Sequence, residues 1–60
     1  MSPIASALSR FKSAADLVGD ETFSEFHRTR LRPMPPHVFT ARTVNRLAHE
    51  LEQMANNMTR

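Results

Sequence analysis

Thr40-Ala41-Arg42-Thr43-Val44-Asn45-Arg46-Leu47-Ala48-His49-Glu50-Leu51-Glu52-Gln53-Met54-Ala55-Asn56-Asn57-Met58 is the stretch whose reading decides the fold. Its apolar residues Val44, Leu47, Leu51, Met54 and Met58 are spaced three, four, three and four apart. A helix with that pattern offers one seam, the a and d positions of a heptad, to another helix. Thr40 stands where an N-cap is wanted, and Phe39 and Val44 have the spacing of a hydrophobic staple. Asn56 and Asn57 are poor helix formers. The helix is therefore expected over about 40–57.

Upstream of it, Pro33, Pro35 and Pro36 interrupt any regular helix. The residue before each proline is pushed toward extended backbone, so residues 32–39 read as an extended, proline-rich linker. Met34, Val38 and Phe39 give that linker apolar anchors. Before it, Thr22-Phe23-Ser24-Glu25 has the form of a capping box. Asp20 and Glu21 at the start and Arg28 and Arg30 near the end suit a helix dipole. A short helix over about 22–31 follows, either separate or continuing the first helix past a kink. The first segment opens Ser2-Pro3, a good N-cap followed by a residue favoured at the first helical position. Ile4, Leu8, Phe11, Ala15 and Val18 then recur at helical spacing, and Gly19, the single glycine, sits where a helix ends, in the left-handed C′ position. That predicts a helix over about 3–18, whose alanines 5, 7, 14 and 15 permit close approach of a partner helix.

The fold class expected is all-α, with two to three helices in a single small domain spanning 1–60. A chain of 60 residues buries only about 60% of the surface its unfolded form exposes. Cores of that size supply roughly 3–5 kcal/mol without a staple. There is no cysteine, hence no disulfide and no thiolate metal site. His27, His37 and His49 match no compact metal motif. The expectation is that a partner chain, a larger assembly or a second copy, completes the core. Val44, Leu47, Leu51, Met54 and Met58 are then the candidate apolar contacts, unless the first helix covers them within the same chain. No apolar run approaches the length of a membrane span, and the N-terminal residues lack the form of a secretory signal. A cytoplasmic location is the default expectation.

The net charge of +2 is unevenly spread. Residues 1–26 carry Arg10 and Lys12 against Asp16, Asp20, Glu21 and Glu25, a net −2; residues 27–60 carry six arginines against Glu50 and Glu52, a net +4. Arg28, Arg30 and Arg32 fall on one face if the backbone is extended, and Arg42 and Arg46 are one turn apart on the last helix. Arg42 lies in a first turn, where the dipole disfavours a cation; Arg46 has an ordinary partner in Glu50 at i+4. These five are candidates to orient an acidic protein partner or to contact phosphates. Tyrosine and tryptophan are both absent, so single-strand stacking platforms are thin.

The run Thr40-Ala41-Arg42-Thr43-Val44-Asn45-Arg46-Leu47-Ala48-His49-Glu50-Leu51-Glu52 resembles the recognition helix of winged-helix and related helix-turn-helix regulators. That resemblance implies groove-facing roles for Arg42, Thr43, Asn45 and Arg46. It spans about a fifth of the chain, and three prolines stand where the preceding helix belongs.

No catalytic constellation is present. The carboxylates form no paired motif, the serines lack a nucleophile elbow, and one glycine excludes a Gly-rich phosphate loop. The expected function is that of a small protein-interaction protein, an accessory subunit, adaptor or inhibitor, not an enzyme, and needing no cofactor, metal or small-molecule substrate. The alternative is a nucleic-acid-binding module.

Overall fold

The computed structural model describes residues 1–59, and the chain is all-α. Helix α1 spans Pro3–Val18, α2 spans Asp20–Phe26 and α3 spans Ala41–Met58. Two short segments join the last pair, a π-turn at His27–Leu31 and a 3₁₀ turn at Pro36–Val38.

Local hydrogen bonds explain the helix ends. The Ser2 hydroxyl oxygen accepts from the Ala5 amide, with Pro3 at the first helical position. Thr40 Oγ1 accepts from the Thr43 amide and caps α3. Both are the side-chain-to-backbone bonds that make these residues good N-caps. Gly19 ends α1 at φ 86°, ψ 166°. This is not the left-handed C′ geometry expected from the sequence but the positive-φ, extended region that is essentially restricted to glycine. The chain reverses there, and α2 is a separate helix.

Two further expectations are corrected. α2 starts at Asp20, two residues before Thr22, with Gly19 at its N-cap and no side-chain cap. The Thr22–Glu25 capping box does not form, because the break at Gly19 already sets the helix start. Asp20 and Glu21 occupy its first turn instead. Residues 32–39 are not extended throughout: the Met34 amide bonds the Leu31 carbonyl and the Val38 amide the Pro35 carbonyl. Prolines tolerate the first position of a helical turn, and Pro36 takes it here. The π-turn also has a local cause. Thr29 Oγ1 donates to the Glu25 carbonyl at 2.9 Å, a back-bond that loosens and bends a helix. The Arg32 amide then reaches the His27 carbonyl, five residues back, at 2.8 Å.

The three helices run up, down and up. Leu8 and Phe11 share one cavity with Val44 and Leu47, so the first halves of α1 and α3 lie together. Glu21 and Thr22, just past the end of α1, share another with Glu50 and Met54 from the second half of α3. α1 and α3 are therefore parallel neighbours, not the two arms of a hairpin. α2 and the π-turn return between their ends.

The α3 seam is closed within the chain. Val44, Leu47 and Leu51 are buried, together with Ala48 and Ala55. Leu47 and Leu51 alone contribute about 1.5–3 kcal/mol each by leaving water. Met54 is half-buried and Met58 exposed. α1 meets α3 through small side chains. Ala7 and Ala14 are buried, whereas Ile4 and Leu8 of the expected stripe remain exposed. Ala7 and Ala14 are seven residues apart, as are Ala48 and Ala55, which brings alanine to the contact every second turn of each helix. Phe11 closes the core against α2, edge-on to Phe23 at 5.9 Å and tilted to Phe26 at 6.4 Å.

Candidate docking groove

The π-turn delivers Leu31 and His27 to the end of the bundle where α1 and α3 begin. There they meet Leu8 and Phe11 from α1, Phe39 from the connection, and Val44 and Leu47 from α3, around a cavity of about 300 Å³. Six of those seven side chains are apolar. Phe39 stays 38% exposed and Leu8 52% exposed. Ile4, one turn before Leu8 on the same face of α1, is also exposed. The bundle thus leaves large apolar side chains in water around a concave site. Lone exposed apolar residues are ordinary, but contiguous ones mark interaction surfaces.

The five candidate arginines divide. Arg30 is tied to Glu50, Nη2 to Oε2 at 2.8 Å. That bond takes the carboxylate expected to pair with Arg46, and the Arg46–Glu50 bridge does not form. Arg28 reaches Glu25 only at 3.8 Å, with both side chains exposed, an arrangement worth little. Arg32, Arg42 and Arg46 are exposed and have no hydrogen bond or ion pair among the described residues. Arg28 and Arg32 follow the groove residues His27 and Leu31 in the chain, and Arg42 lies in the first turn of α3, two residues before Val44.

A sixth arginine went unsingled by sequence reasoning. Arg10 on α1 forms a bidentate pair with Glu52, Nε to Oε2 at 2.9 Å and Nη2 to Oε1 at 2.6 Å, and a 3.4 Å bond to Asn45 Oδ1. The guanidinium holds the Glu52 carboxyl below the usual carboxylate range, mainly by hydrogen bonding. No local signal announces a pair 42 residues apart. It fixes the register of α1 on α3, and it draws Asn45 to the α1 side. Thr43, another residue of the recognition-helix resemblance, exchanges bonds with Thr40. Of the four residues given groove-facing roles by that resemblance, only Arg42 and Arg46 are unengaged.

Among the described residues, no group of three or more His, Cys, Asp or Glu side chains is placed to hold a metal ion. Among the same residues, no helix is long and apolar enough to cross a membrane. The chain matches no family model, and no curated protein or solved structure is similar to it.

Proposed function

We propose that this chain is a small helical interaction protein, an accessory subunit, adaptor or inhibitor that docks on a larger protein assembly. The observation that carries this reading is the apolar groove at the start of α1 and α3, with Leu8 and Phe39 held half in water at its mouth. The chain spends Val44, Leu47 and Leu51 on its own core, so affinity has to come from the rim and the neighbouring Ile4. Buried apolar anchors supply the strength of such contacts, and flanking charges supply orientation.

A photo-crosslinking amino acid placed at Leu8 or at Phe39, and for comparison at the exposed Gln53 on the outer face of α3, tests this in the native cell. The same discrete protein adduct at positions 8 and 39, missing at 53, supports docking. Adducts that are absent, or equal at all three positions, overturn it.

A second reading rests on the unengaged Arg32, Arg42 and Arg46 and makes the chain a nucleic-acid-binding module. It requires affinity that falls with salt at a slope near −0.9 per phosphate contacted on duplex DNA. If duplex and single-stranded probes both fail to bind at low salt, that reading is finished.

A further inference from the structure

α1 and α3 carry no acid in their first turns and no base in their last, so neither uses the charges its dipole favours, and Arg42 in the first turn of α3 and Asp16 in the last turn of α1 oppose it. Because the two helices are parallel, their positive ends coincide, and the misplacement adds up instead of cancelling. α2 runs the other way with Asp20 and Glu21 at its start, which is favourable for α2 itself. It nevertheless puts those acids beside Asp16, at the pole where α1 and α3 end. Arg28 and Arg32 directly follow the groove residues His27 and Leu31 in the chain, and Arg42 stands two residues before Val44. The N-termini of α1 and α3 and the groove therefore share one end of the molecule, with arginines next in the chain to the groove residues. Helix capping does not explain the position of Arg42, since Thr40 already caps α3 and a cation in the first turn opposes its dipole.

From this we infer that the groove takes an acidic amphipathic helix of the partner protein, its apolar face inserted between Leu8, Leu31 and Phe39 and its carboxylates set against Arg28, Arg32 and Arg42. The inference rests on the docking reading above and specifies the occupant. The described residues form no strand and so offer no sheet edge, and an apolar cleft between helices suits the insertion of an amphipathic helix. A phosphate backbone suits the positive pole but not the groove, whose lining has one polar side chain, His27, among seven.

The test selects binders from a displayed library of randomised helical 16-residue peptides on the intact protein and maps each winner by amide chemical shifts. Expected winners repeat apolar residues at i, i+3 or i+4 and i+7, carry Asp or Glu on the flanks, and shift Leu8, Leu31, Phe39 and Val44. Arg32→Glu with Arg42→Glu then weakens binding by about tenfold, less as salt rises. Leu8→Glu, at a half-exposed position that the core does not need, abolishes it. Winners that map to the groove but are basic or non-helical overturn the acidic helix and leave the docking reading standing. Winners that map elsewhere, or no winners, overturn both. Tighter binding of duplex DNA than of any peptide, shifting the same amides, transfers the site to nucleic acid.

Discussion

Ala48→Leu adds an isopropyl group where α3 lies against α1. Ala48 is fully buried, between Asn45 and Glu52, the two residues that Arg10 reaches from α1. Ala7 and Ala14, which flank Arg10 on that helix, are 0% and 1% exposed. If space were available, the added carbons would gain roughly 2 kcal/mol at about 0.8 kcal/mol per buried methylene, and helix propensity would change little. The seven-residue alanine spacing on both helices says that space is absent. Overpacking a close contact costs about 1–3 kcal/mol. Set against roughly 3–9 kcal/mol for a domain of this length, that is a large fraction of the whole. Urea unfolding followed by circular dichroism gives the difference directly, and Tm should fall by about 4–8 °C for each kcal/mol lost. The reasoning is refuted if Ala48→Leu is as stable as the parent or more so, since the two helices would then not meet through alanine.

Gly19→Ala should cost about 1–3 kcal/mol through backbone strain alone, because φ is 86° but nothing lies within 4 Å of an added Cβ. A synthetic chain with D-alanine at position 19 should recover that loss, and equal melts for the two alanine forms would contradict it. Thr40→Ala should lose about 1 kcal/mol with the α3 cap, whereas Thr22→Ala, which removes no cap, should lose much less in the same melts; the opposite order would mean that the capping box forms after all. The Glu52 carboxyl has its pKa lowered in the folded state, so its stabilisation is present above the unfolded carboxylate pKa and lost as pH falls through the folded one. The stability gap between the parent and Arg10→Gln, measured by urea titration, should therefore narrow on acidification, and a gap independent of pH counts against the pair.

The helix ends were legible because their signals are local. Ser2, Gly19 and Thr40 act on amides or dihedrals within three residues, so the sequence bounds of α1 and α3 agree closely with the structure. Which face packs was less legible. Reading by size selects Ile4 and Leu8 for the core, while close parallel packing selects Ala7 and Ala14, and a periodicity of large residues carries no information about how near the neighbour comes. The direction of α3 was hidden for a related reason, since either direction buries Val44, Leu47 and Leu51. The π-turn has no periodic signal, and its one local mark is the Thr29 hydroxyl bonding the Glu25 carbonyl. The groove draws its lining from α1, the π-turn, the connection and α3, and only the folded chain brings Leu8, Leu31 and Phe39 together. The arginines were visible as a set, but the division into tied Arg30 and unengaged Arg32, Arg42 and Arg46 depends on where Glu50 points.

The alanine contact between α1 and α3 also bears on the chain while it is being made. Arg10 and Glu52 are 42 residues apart, so at about 5–20 residues per second a ribosome delivers the second roughly 2–8 s after the first. During that interval the first helix has no α3 to lie against, and a lone helix of its length is marginal in water. The face it will later give to α3 is Ala7 and Ala14, which offer passing nascent chains little apolar area. A leucine-lined face would have waited as long with far more to stick to. The contact that leaves the finished bundle intolerant of added bulk therefore adds little to the apolar surface that Leu8, Phe11 and Val18 already expose on the unfinished one.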